Sequence, residues 1–256
     1  MPNKLTQPNE NKVLTNDGQR VAKVIARSGF CSRREAERYI QQRRVQVDGQ
    51  LIDNPAFHVA VGQIITIDDE VIPDIEPTQL WRYHKPRGCL TTKHDPEGRP
   101  TIYHFLPRHL QSLKPVGRLD YNSEGLLLLT NDGNLLRQLT LPANQWIRRY
   151  RVRVYGQIDD LSLSKLKQGL TIEGIRYEID EVVFDRQQGN NAWLTISLRE
   201  GKNREIRRLC EFLGWPVNRL IRLSFGPFQL GNLEKGEAQQ ISGKVLREQL
   251  QTSLST

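Results

Sequence analysis

The chain has 256 residues, with 37 Lys and Arg against 29 Asp and Glu for a net charge of +8, and a hydrophobic fraction of 37%. That length buries a sizeable core as one large domain with a small companion, and the positive balance points to a polyanionic partner without fixing a fold. Three cysteines, Cys31, Cys89 and Cys210, with no C-x-x-C pair, speak against a disulfide framework or a zinc knuckle and fit a reducing cytoplasm.

Residues 1–17 are rich in Asn, Gln, Pro and Lys, too polar to offset the entropy of ordering, and are expected to be a disordered tail. They hold no apolar signal stretch, and the longest apolar run, L-L-L-L at 126–129, is far too short to span a bilayer, so no membrane partner is expected. Residues 20–27 place Val21, Val24 and Ile25 on one helical face and stop at Ser28-Gly29. Ser32 and Glu35 then have the S-x-x-E spacing of a capping box, which starts a second helix. In R-V-Q-V-D-G-Q-L-I at 44–52, apolar and polar residues alternate around a D-G turn, which predicts a hairpin.

Residues 19–50 carry eight basic side chains against three acidic ones, whereas residues 51–79 hold six acids and no Lys or Arg. Arg33, Arg34, Arg38, Arg43 and Arg44 cluster on and after the second helix. Such a run is either a solvated face or a surface for RNA phosphates, and the scarcity of matching acids in so small a unit favours a binding module. The order of helix, capped helix and R-R-V-x-V-D-G hairpin resembles the small RNA-binding domain of ribosomal small-subunit protein type. That resemblance implies recognition by shape and charge. The unit is taken as residues 18–72, with a Pro- and acid-rich linker at 73–79.

From residue 80 strand-like runs (80–83, 149–155, 179–184, 193–198) and helical periodicity (134–139, 161–168, 203–213) follow in irregular order. The pattern predicts an α+β domain over 80–242 with a largely antiparallel sheet, followed by a C-terminal tail at 243–256.

Within this domain, V-G-R-L-D-Y-N-S-E-G-L-L-L-L places Asp120 ahead of the apolar run. Asp120, Asn122, Glu124 and Gly125 begin a calcium-loop pattern, but its twelfth position is Asn131 where a bidentate Glu is required, and a Pro-containing flank replaces the entering helix. No G-K-[ST] follows to make a phosphate loop. Spacing alone leaves two readings open, a turn-capping Asp and a reacting carboxylate.

The motif G-R-L-D, continued by x-x-S-x-G-L-L-L-x-T-x-D-G, closely resembles the signature of the RsuA and RluB family of ribosomal RNA pseudouridine synthases. The opening strand with K-P-R-G at 85–88, D-P-E-G-R-P-T at 95–101, R-Y-R-V at 149–152 and E-G-K-N-R-E-I-R-R at 200–208 are similar to further motifs of that family, in its order. The resemblance implies a pseudouridine synthase catalytic domain with a mainly antiparallel mixed sheet flanked by helices. It implies that Asp120 is the nucleophile on a flipped-out base, Tyr150 stacks on the uracil, Ile206 lines the pocket, Lys202 supplies the cation beside Asp120 and Arg118 fills the gap left by the base or meets phosphate. Arg204 is the alternative to Lys202 if the register shifts. Arg207 and Arg208 are expected to contact RNA phosphates.

No metal or other cofactor is expected: the five histidines form no H-E-x-x-H or deaminase pattern, and the isomerisation needs no redox partner. The expected partner is ribosomal RNA or a ribosomal-subunit precursor, of the large subunit by the look of R-R-Y-R-V-R-V-Y-G, and the expected state is a cytoplasmic monomer. Two alternatives stay open, a small-subunit RNA synthase and a non-catalytic RNA-binding or ribosome-assembly factor on the same scaffold.

Overall fold

The computed structural model describes residues 18–254, so the expected tail at 1–17 lies outside the described residues. The chain divides into two compact units, residues 1–77 and 78–256, a boundary inside the linker predicted at 73–79.

In the first unit β1 (Gln19–Arg20) leads into α1 (Val21–Arg27), and α2 (Arg33–Gln41) follows. The Ser32 side chain accepts from Glu35 N–H at 3.2 Å and Glu35 accepts from Ser32 N–H at 2.9 Å, so the capping box forms as its spacing requires. β2 (Val45–Val47) and β3 (Gln50–Ile52) make the hairpin, with Asp48 and Gly49 both at positive φ, as a tight two-residue turn demands. β4 (His58–Val59) pairs with β1, while β5 (Ile65–Ile67) and β6 (Glu70–Val71) complete a four-stranded sheet in the order β3-β2-β5-β6. Val21, Ile25, Ala36 and Ile40 from the helices pack on Val45, Val47, Ile65 and Ile67, all buried.

The second unit is built on a nine-stranded sheet. β7 (Leu80–Lys85), β8 (Lys114–Val116) and β9 (Glu124–Thr130) come first, then α3 (Gly133–Thr140) and β10 (Arg148–Tyr155). After α4 (Asp160–Lys167) a small hairpin of β11 (Leu170–Ile172) and β12 (Ile175–Tyr177) precedes β13 (Glu181–Gln188) and β14 (Asn191–Leu198). α5 (Glu205–Phe212), β15 (Val217–Phe225), β16 (Phe228–Gln229), β17 (Ala238–Ile241) and α6 (Gly243–Leu254) close the chain. The sheet runs β13-β14-β10-β15-β9-β7-β17, with β8 added on β9 and β16 on β15. Its pairs are antiparallel except β15 with β9.

The L-L-L-L run is explained by burial on both faces of β9. Leu126 and Leu128 pack with Leu135, Leu139 and Phe225, whereas Leu127 and Leu129 face Tyr83, Ile102, Leu110 and Leu119. All four are at most 1% exposed, and each such leucine contributes roughly 1.5–3 kcal/mol. Gly125, at φ +105°, lets β9 approach β15: a Cβ there would lie 2.4 Å from the Arg222 carbonyl oxygen. The segment expected as a tail from 243 is a helix over most of its length, and Leu246 of α6 is buried in the same cluster as Leu80 and Leu139. Among the described residues no helix is long and apolar enough to cross a membrane.

Candidate active site

The site grows from the loop joining β8 to β9. Leu119 is buried and anchors it, leaving Asp120 half-buried at its tip. The loop is gripped from several directions. Thr91 Oγ1 donates to the Leu119 carbonyl at 2.8 Å and accepts the Leu119 N–H at 3.2 Å. Gly88 N–H donates to the Tyr121 carbonyl at 2.9 Å. Lys85, fully buried at the end of β7, donates its ammonium to the carbonyls of Pro86, Asp120 and Ser123 at 3.0, 3.1 and 3.0 Å. The K-P-R-G turn is therefore a brace for the Asp120 loop, and burial holds the Lys85 ammonium below its ordinary pKa.

From the opposite side comes Arg207 of α5. Its Nη2 donates to the Asn122 carbonyl at 3.1 Å and its Nη1 to that of Val217 at 3.2 Å. At 7% exposure this guanidinium is part of the interior. The expectation that Arg207 contacts RNA phosphate is corrected here, because α5 turns it inward beneath the loop. Arg208, one position on, lies on the outer side, 3.6 Å from Glu173.

A cavity of about 890 Å³ opens beside Asp120. Arg118, Asp120, Tyr150, Lys202 and Ile206 all lie on its wall, so residues spread over nearly ninety positions of sequence meet at one place. Tyr150 sits where β10 slips register against β15, between Arg149 and Tyr150. Such a bulge re-aims a side chain, and Tyr150 packs against two hydrophobic clusters while its strand neighbours Val152 and Val154 are wholly in one. Ile206 is 3% exposed and belongs to the core as well as the wall. Arg118 is exposed.

Lys202 reaches the cavity but not as the cation of Asp120. Its ammonium donates to the Arg176 carbonyl at 2.7 Å, forms an ion pair with Glu200, and lies 5.6 Å from the Tyr177 ring centroid. The charge of Asp120 instead bears on Lys85 and Arg207, partly offsetting the burial of each. Arg204, the alternative, is on the wall in a left-handed conformation at φ +51°, a strained setting for a non-glycine residue.

Four wall or brace residues were not singled out from sequence: Lys85, Thr91, Glu205 and Arg222. Glu205 Oε2 accepts the Lys202 N–H at 3.1 Å, three residues back in the turn that leads into α5. Lys85 entered only as the first residue of the K-P-R-G motif, with no role assigned to it. Arg222, 3% exposed, donates to the Leu126 carbonyl at 2.7 Å. Among the described residues no cluster of three or more His, Cys, Asp or Glu is placed to hold a metal ion.

In the first unit Arg34, Arg38 and Arg43 are exposed. Arg33 pairs with Glu37 at 3.2 Å, and Arg44 lies over the Tyr39 ring at 4.4 Å with its Nε 2.8 Å from Asp68. Two of the five clustered arginines are thus already matched by acids within their own unit.

The family model for RNA pseudouridylate synthase matches residues 79–212, and that for the S4 domain matches residues 19–65. A protein of Rickettsia felis described as an uncharacterized RNA pseudouridine synthase is 44% identical over 230 residues, covering 90% of this chain and 100% of the relative. A protein of Pasteurella multocida named ribosomal large subunit pseudouridine synthase B is 43% identical over 220 residues, covering 84% of this chain and 64% of the relative. A crystal structure of a pseudouridylate synthase superposes with a TM-score of 0.62 at 26% identity, over 90% of this chain and 99% of that one.

Proposed function

Because the chain belongs to the RNA pseudouridylate synthase family and carries an S4 domain ahead of the catalytic one, we propose that it converts a specific uridine of large-subunit ribosomal RNA to pseudouridine, with Asp120 as the reacting carboxylate. The observation that carries the reading is the convergence of Asp120, Tyr150, Lys202 and Ile206 on one cavity. The choice of large-subunit RNA is supported by relatives of that name at 40–43% identity in Pasteurella multocida and Yersinia pestis.

In this reading the target uridine leaves its stack and enters the cavity. The Tyr150 ring takes one face of the uracil, and Ile206, Leu198 and Leu220 supply apolar wall that limits water. Asp120 acts on the ribose as the bond from C1′ to N1 breaks. The freed uracil turns, C1′ bonds to C5, and the C5 proton leaves while N1 gains one, so atoms balance without a redox partner. Lys85 and Arg207 support the anion and fix its loop, which spares the reaction the entropy of ordering it. Arg118 at the exposed edge meets the RNA backbone or the space the base vacates. The test is replacement of Asp120 by Asn: the variant binds ribosomal RNA and forms no pseudouridine.

A further inference from the structure

The cavity wall beside Lys202 holds two carboxyl groups to which the isomerisation assigns no task. Glu205 is 3% exposed; its Oε2 accepts the Lys202 backbone N–H, and its Oε1 is buried without a donor. Glu200 takes the other end of the same residue, receiving the Lys202 ammonium. Lys202 is therefore held at both its backbone and its side-chain tip by adjacent acids. A buried carboxylate oxygen with no donor is costly, and a proton on the carboxyl relieves that cost.

We propose that Glu200 and Glu205 share one proton and act as a clamp that positions Lys202 on the wall of the cavity. The inference rests on the reading of that cavity as the site of uridine isomerisation. Its electrostatics agree: burial, then the charge of Glu200 and a hydrogen bond with its carboxyl, push Glu205 up to about 7. Charged groups acting on the pair or on its lysine are Lys202 on the loop before α5 and Arg148 on β10, with Glu178 ahead of β13 acting on Lys202 and Arg222 of β15 behind Arg148. Tyr177 of β12 lies under the ammonium.

The pH effect has a definite sign. Below about 7 the proton is in place and the clamp closed. Above it, a second negative charge forms on the buried Glu205 beside the half-exposed Glu200, their repulsion parts them, and the loop bearing Lys202 loses its register. Glu205 and Glu200 are positioning residues, so the effect falls on kcat, while KM follows the contacts with RNA phosphates.

The experiment measures kcat and KM for pseudouridine formation on unmodified ribosomal RNA transcripts between about pH 6 and about pH 8, using the full-length protein. Glu205→Gln supplies an amide donor to Glu200 and a carbonyl to the Lys202 N–H at every pH. Glu200→Gln makes the reciprocal replacement. Wild-type kcat is expected to fall by up to about tenfold across this window, as a single shared proton is lost. The fall disappears in both Gln variants, and Glu205→Ala is slow throughout. A flat wild-type profile, or a slope that persists unchanged in Glu205→Gln, overturns the clamp and leaves the functional reading standing. A wild-type protein that forms no pseudouridine at any pH overturns both.

Discussion

Asp120 is one of several aspartates that precede a turn, and what distinguishes it is which groups hold its loop. Lys85 and Arg207 approach from β7 and α5 and bind the carbonyls of Asp120, Ser123 and Asn122. The sequence motifs led to Asp120, Tyr150, Lys202, Ile206 and Arg118 as residues of one site, and the cavity brings all five together. They misassigned the cations. Neighbouring residues on a helix point about 100° apart, so of the adjacent pair Arg207 and Arg208 one faces the interior and one faces out. A sequence registers both as positive charge and carries no mark of which is buried. Arg207→Met tests the brace. It strands the Asn122 and Val217 carbonyls at a cost on the order of 1–3 kcal/mol each, so urea unfolding shifts to lower midpoints and kcat drops. Arg208→Met, at a half-exposed position, stays within about 0.5 kcal/mol of wild type in the same melts.

At the scale of elements, strand β9 does most to place the site. Its four leucines fill two cores, which is why an unbroken apolar run, with no alternation, marks it in the sequence. The parallel pairing of β9 with β15 carried no sequence signal, because register between strands ninety residues apart is set by packing and not by local pattern. Gly125 is the residue that permits it. Gly125→Ala pushes a methyl into the Arg222 backbone and imposes φ +105° on an L side chain, so the prediction is a loss of several kcal/mol in thermal or urea unfolding. Loss of pseudouridine formation should accompany it, since the same close approach sets the origin of the Asp120 loop. Helix α6 was missed for a related reason. Among its side chains whose burial is described, Leu246 is buried and Leu250 packs partly buried on the same cluster, too sparse a stripe to announce a helix where a C-terminal tail was expected.

At the scale of the molecule, the α+β class was legible in the sequence, since strand-like and helical periodicities follow in irregular order, and each compact unit holds hydrophobic clusters of its own. The division of labour makes a separate prediction. Replacing Arg34, Arg38 and Arg43 by Ala should act on KM for ribosomal RNA and not on kcat, and should lower the salt dependence of binding by about one unit of slope for every phosphate these arginines neutralise. An equal drop in kcat would instead place those arginines in the chemistry. Whether Asp120 is the reacting carboxylate is decided by counting pseudouridine, nucleotide by nucleotide, in unmodified ribosomal RNA incubated with the wild-type protein or with Asp120→Asn. One new pseudouridine in large-subunit RNA is expected with the wild type and none with the variant at equal RNA occupancy; conversion by Asp120→Asn at the wild-type rate would contradict that role.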